Sequence, residues 1–205
     1  MRLIRPLLAA AAALALSGCI SLLPKTDPAQ LYRFGAVPQA AGAASSSGQI
    51  GILKPRSGFT QAAAGDRILT VTNGQAAYIA AARWVAPASV LFEEAVANAY
   101  DSNPGAARLV TRGEVARADL VMRLDVRSFE TVYDQGPEAA PQVVVRVRVA
   151  VTRARDRALV GDKLLEATVR AGDNRVGAIV PAYDQAVGQV VSELVTWTNG
   201  LAAGG

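Results

Sequence analysis

The 205-residue chain is 51% apolar, carries 21 basic and 17 acidic residues, and contains one cysteine and no histidine. These counts exclude an intrachain disulfide, any Ser-His-Asp or Cys-His nucleophilic site and every histidine-containing zinc site. The length suits one ordinary domain with its own apolar core and is too short for two full ones.

At the N-terminus, Arg2 and Arg5 precede an apolar run from Leu7 to Leu16, and the small residues Ser17 and Gly18 lead into Cys19. A positive start, a short apolar core and small residues before a cleavage point describe a secretory signal, and the core is well short of the about 20 residues that a spanning helix needs. The ending Leu16-Ser17-Gly18-Cys19 resembles the bacterial lipobox, in which the thiol receives a diacylglyceryl group and the chain is cut before it. A thiolate is the side chain best suited to that alkylation. The alternative is an ordinary secretory signal with a chance cysteine. On the lipobox reading, residues 1–18 are the signal peptide, Cys19 is the lipid-attachment site, residues 19–30 are a lipidated tether and residues 31–205 form a single domain. Losing Arg2 and Arg5 lowers the basic count from 21 to 19 against 17 acids, which gives little reason to expect a nucleic-acid partner. No second apolar run reaches spanning length, so the lipid is the expected membrane attachment.

Pro24 and Pro28 punctuate the tether, whose r.m.s. span is on the order of 20 Å. Leu31-Tyr32-Arg33-Phe34 alternates like a short strand, and the Ala-Ser-Gly composition of residues 38–48 reads as a mobile linker. Ile50 to Lys54 is a short strand. Arg67–Thr72 and Gln75–Trp84 form a hairpin across Asn73-Gly74, because both central residues of a type I′ turn need positive φ. Pro87 opens a helix on which Leu91, Phe92, Ala95, Val96, Ala99 and Tyr100 share one stripe, with Glu93, Glu94 and Asn98 facing away, and which ends near Asn103-Pro104-Gly105.

Strict alternation follows. Leu120, Met122, Leu124 and Val126 form one face of a strand, Val143 through Val151 at every second position another, and Leu165, Ala167 and Val169 a third. Arg146 and Arg148 are expected near Glu166 across the hairpin as ordinary decoration of the wet face, the alternative being a basic stripe for lipid head groups or an acidic partner. A final helix over Pro181–Asn199 buries Val187, Val190, Val191, Leu194, Val195 and Thr198. Its polar face lacks Lys and Arg, which favours core packing over a membrane-surface helix. The predicted fold is α+β: an antiparallel, meander-rich sheet of roughly seven to eight strands packed against two amphipathic helices.

The lipobox, the aromatic pair Tyr32 and Phe34, the hairpin ending Tyr78-Ile79-Ala80-Ala81-Ala82-Arg83-Trp84, Pro87 opening a helix, the meander and the last helix together resemble the ABC-type transport auxiliary lipoproteins. These include the lipoprotein component of the paraquat-inducible Pqi system. The resemblance implies a non-enzymatic protein, lipid-anchored to the outer membrane with its domain in the periplasm. Its implied partners are a periplasmic Mce-domain protein, whose rings form a lipid conduit, and an ABC transporter or related permease. Its implied work is to dock and align that conduit. Ile20 after the cysteine is not the aspartate that favours inner-membrane retention in enteric bacteria. A ring-shaped partner would suit a homo-oligomeric ring of the lipoprotein.

Two other non-enzymatic readings remain open: a lipid carrier, which would need an apolar cavity of several hundred cubic ångströms between sheet and helices, and a structural lipoprotein of another envelope complex. A hydrolase without histidine would need a Ser-Lys or carboxylate pair. Lys25, Lys54 and Lys163 lack a Ser-x-x-Lys arrangement, and Glu93-Glu94 reads as a solvated helix face, so no catalytic residue, metal ligand or cofactor is predicted. Trp84 and Arg83 are the leading interface candidates, because aromatics and arginine are enriched in binding hot spots, although a tryptophan closing a strand also suits a core. Tyr32, Phe34 and Tyr78 carry the same two readings. Trp197 either caps the core or extends an exposed patch.

Overall fold

The computed structural model describes residues 28–35, 50–110, 114 and 117–204. Cys19, most of the tether and the 38–48 segment lie outside the described residues. The elements run β1 (Gln30–Tyr32), β2 (Ile50–Leu53), β3 (Gly58–Phe59), α1 (Gln61–Ala64), β4 (Arg67–Thr72), β5 (Gln75–Trp84), α2 (Ala88–Ser102), β6 (Ala107–Leu109), β7 (Leu120–Val132), β8 (Gln142–Arg153), β9 (Leu159–Arg170) and α3 (Val176–Ala203).

The alternating valines and leucines build the middle of the sheet. β7, β8 and β9 form an antiparallel meander, with Val126 opposite Val147 and Val147 opposite Leu165. The inward positions Met122, Leu124, Val145, Val147, Val149, Val151 and Leu165 are buried, and the outward charges pair across strands. Arg146 stands opposite Glu166 and meets it at 2.8 Å, Arg148 pairs with Asp162, and Arg170 grips Asp134 with both amino groups. These arginines are therefore satisfied on the wet face, as ordinary decoration requires. One bulge interrupts the pattern. The register of β7 slips between Val126 and Ser128, which leaves Arg127 outside and turns Phe129 and Thr131 into the core.

The predicted α+β architecture is present, but the sheet is mixed instead of antiparallel throughout. The other edge of β7 is taken up in turn by β2, β3 and β4, each parallel to it, with Ile52 opposite Leu120, Gly58 opposite Asp125 and Thr70 opposite Thr131. Residues 50–72 thus run once along β7 in a single direction, and the short links between these strands leave no room for a reversal. The return that parallel pairing demands is supplied by β5 and α2, after which β6 runs parallel to β2 at the sheet's edge. β5 lies beyond β4 through the predicted turn, where Asn73 has φ 50° and Gly74 φ 78°, and β1 adds in parallel to β5 as an edge.

The helices close the inner face. α2 begins after Pro87, whose carbonyl accepts from Val90 and Leu91, and its predicted stripe is buried without exception. Its end is capped by Asn103, whose backbone N–H and side-chain amide both donate to the Ala99 carbonyl. α3 is longer than predicted, starting at Val176 instead of Pro181. Pro181 removes the donor for the Gly177 carbonyl, but both residues are solvent-exposed, and burial of Ile179, Ala182 and Tyr183 offsets the loss. Among the described residues no helix is long and apolar enough to cross a membrane.

Candidate docking surface

The predicted interface residues divide by strand parity. Successive side chains on a strand point to opposite faces, so Arg83 and Trp84 cannot share one patch. Trp84 faces the helices and is 2% exposed; Phe34 is 1% exposed. Trp84 meets Phe34 edge-on at 4.9 Å and Tyr183 at 5.1 Å, while Phe129 packs 5.1 Å from Phe34 and 5.0 Å from Tyr183. This aromatic cluster joins the edge of the sheet to both helices, and it removes Trp84 and Phe34 from the exposed surface. Phe34 reaches it because Gly35, at φ 72°, turns the chain beneath the helices; its N–H donates to Asp184 at 2.8 Å. Within the cluster the Tyr183 hydroxyl accepts from Thr131 at 3.1 Å, and burial raises its pKa. At the other end of the core, Tyr100 and Thr198 share a hydrogen bond of 2.7 Å, and burial pushes the Tyr100 hydroxyl up to about 12. Trp197 packs half-buried beside Gly161 and Leu201, capping the core.

Arg83, Tyr32 and Tyr78 remain at the surface. Arg83 bonds Asp66 at 2.9 Å, both groups well exposed. Tyr32 is half-buried and donates to Gln30, and Tyr78 donates to the Ala62 carbonyl at 3.0 Å beneath the Arg67 guanidinium, which lies 3.8 Å from its ring centroid. Two residues that the sequence did not mark as interface candidates complete the corner. Leu31 stands directly opposite Arg83 in the parallel register and is 62% exposed, and Val85, whose N–H donates to the Tyr32 carbonyl, is 50% exposed. Their signal was available in the parity of Leu31, Arg83 and Val85, had the pairing of β1 with β5 been known. The corner adjoins the start of the described chain. The segment from Ile20 to Gln30 can reach at most roughly 40 Å when fully extended, so a lipid on Cys19 would hold the corner near its bilayer.

A second cluster bears on catalysis. Lys54, nearly buried, pairs with Glu93, whose other oxygen accepts the Ser57 N–H at 2.8 Å; the Ser57 hydroxyl lies 3.4 Å from the Lys54 nitrogen. Glu93 is thus not on a solvated face, as the helix pattern suggested. Partial burial alone would raise its pKa, but the bonds from Lys54 and Ser57 outweigh that and hold it below the ordinary value. The Lys54 ammonium is committed to this carboxylate and is not a free base for Ser57. No group of three or more metal-ligating side chains occurs among the described residues.

Among the described residues, sheet and helices bury one continuous apolar cluster between them. A cavity of about 510 Å³ lies elsewhere, at the end of the sheet where β2 and β7 begin and α3 finishes.

No curated protein sequence matches this chain significantly. The fold is similar to that of a Xanthomonas campestris protein from a domain family of unknown function (DUF330), with a TM-score of 0.70, 22% identity, and 85% of this chain and 98% of that one covered. It is also similar to a hypothetical protein from Chlamydia trachomatis, with a TM-score of 0.53, 14% identity, and 77% and 99% covered. At these identities the likeness shows the fold alone. The model of the ABC-type transport auxiliary lipoprotein component matches residues 32–195, from the edge strand β1 to the last turns of α3, and the chain belongs to that family.

Proposed function

We propose that this protein is a non-enzymatic lipoprotein, acylated at Cys19 and anchored to the outer membrane, that docks a periplasmic Mce-type conduit of an ABC lipid-transport system. Family membership supports an auxiliary role in transport. The observation that carries the docking reading over a carrier is the core: among the described residues, sheet and helices bury one continuous apolar cluster between them, which favours work done at the surface. The corner formed by Leu31, Arg83 and Val85, with Tyr78 on the same side of the sheet, is the surface we assign to the partner; Tyr32, opposite Trp84 in the register, turns to the other face. It combines exposed apolar side chains with an arginine whose side chain, among the described residues, is held by a solvent-exposed ion pair, a composition common in binding hot spots. Several weak contacts of this kind around a ring gain affinity through effective concentration, which fits a homo-oligomeric ring.

The test uses the chain from Ile20 onward, which keeps every strand and helix described. It should bind a periplasmic Mce-domain protein of its own organism and purify without stoichiometric phospholipid. Arg83→Glu and Leu31→Asp should abolish binding with unchanged circular dichroism. Native mass spectrometry that finds one phospholipid held per chain, with no measurable partner binding, would replace docking by a carrier role. For the anchor, mass spectrometry of the mature N-terminal peptide should find an acylated Cys19; an unmodified cysteine would end that assignment.

A further inference from the structure

The cavity at the end of the sheet has two chemically distinct walls. Ile50, Leu120, Val160 and Leu201 give an apolar floor, and the rim carries Arg117, Arg153 and Arg155 against a single carboxylate, Asp119. That carboxylate is already engaged, accepting the Gly51 N–H at 2.9 Å to fix the start of β2 against β7. Arg153 and Arg155 share one further acid, Asp156, at 3.1 and 3.3 Å, so two guanidinium groups stand over one carboxylate. Arg117 makes no ion pair among the described residues. The nearby end of α3 presents carbonyl oxygens, not N–H donors, so anion recognition at this rim falls to the guanidinium groups.

A volume of about 510 Å³ lies within the range of small-molecule sites. Guanidinium forks bind phosphate or carboxylate with paired hydrogen bonds. We infer that this pocket binds an anionic single-chain amphiphile, its head group on Arg117, Arg153 and Arg155 and its alkyl chain along Ile50, Leu120, Val160 and Leu201. The apolar floor distinguishes this from a free-anion site, and the arginine rim distinguishes it from a merely greasy groove. The pocket is formed by other residues than the Leu31 and Arg83 corner, and the inference stands without the docking reading.

Isothermal titration of the chain from Ile20 onward with lauryl phosphate, below its aggregation concentration, should give saturable one-to-one binding. Inorganic phosphate and the uncharged dodecyl maltoside should each bind at least ten-fold more weakly. Both Arg117 and Arg155 are exposed, so the double variant Arg117→Gln with Arg155→Gln should fold normally and lose at least ten-fold in affinity for lauryl phosphate. Absence of saturable binding, or an unchanged affinity in the double variant, would overturn the inference. Equal binding of inorganic phosphate would make this a free-anion site, and equal binding of dodecyl maltoside a non-selective apolar groove; either result overturns it too.

Discussion

The Lys54–Glu93 pair offers a quantitative test of how this fold holds a charge beneath its helix. The Lys54 side chain is 7% exposed and that of Glu93 28%. Glu93→Gln removes the counter-charge and leaves an almost buried ammonium facing, among the described residues, neutral acceptors: the Pro55 carbonyl and the Ser57 hydroxyl, both at 3.4 Å, and the new amide oxygen. Breaking a fully buried pair in this way costs about 3–5 kcal/mol; with Glu93 partly wet, a loss of about 2–3 kcal/mol is expected. Lys54→Met is gentler. The methionine refills the apolar path of the lysine stem, and Glu93 keeps the Ser57 N–H and some water, for a loss of about 1 kcal/mol. The double variant should cost less than the sum of the two, with a coupling of about 1–2 kcal/mol. Urea denaturation followed by circular dichroism measures all four corners of the cycle. The sign with pH follows from the lowered Glu93 pKa: the pair contributes fully above the ordinary carboxylate value, and its contribution is lost as pH falls from there through the lowered folded-state pKa. The gap between wild type and Lys54→Met should therefore narrow on acidification. A Glu93→Gln variant no less stable than Lys54→Met, or a gap that does not change with pH, would refute the reasoning.

Trp84→Ala should act on stability, because it hollows the aromatic cluster; a loss of about 3–5 kcal/mol, or a fall in Tm on the order of 10 °C by calorimetry, is expected, and a loss under about 1 kcal/mol would contradict the core assignment. Gly35→Ala should destabilise, since its Cβ would stand 2.7 Å from that of Ala95 at a φ of 72°; an unchanged urea midpoint would show that the turn is not required. Arg83→Glu should shift Tm little, because its ion pair is solvent-exposed, and should reveal itself only in partner binding. Shortening residues 38–48 to a tight turn should change Tm little, since loop length enters free energy only logarithmically; loss of cooperative unfolding would make the segment part of the core.

Much of the architecture was determined by local sequence. Period-two alternation marks β7, β8 and β9 because each side of a strand meets one environment, and the paired apolar positions of α2 and α3 mark helices for the equivalent reason at period 3.6. Asn73-Gly74 specified its turn by backbone conformation alone. Tertiary structure decided what depends on residues distant in sequence. The bulge at Arg127 appears only when β8 supplies a register, and it is this slip that carries Phe129 into the aromatic cluster. The parallel run of β2, β3 and β4 along β7 has no local signature, since a short apolar strand reads the same in either direction. Trp84 and Arg83 are neighbours in sequence yet lie on opposite faces, and which one is buried was set by β1 and the helices. Lys54 and Glu93 are 39 residues apart, and neither pattern announces the other. The pocket likewise assembles Arg117 from the link before β7, Arg153 from β8 and Leu201 from α3 at one end of the sheet; its chemistry exists only where the chain brings those segments together.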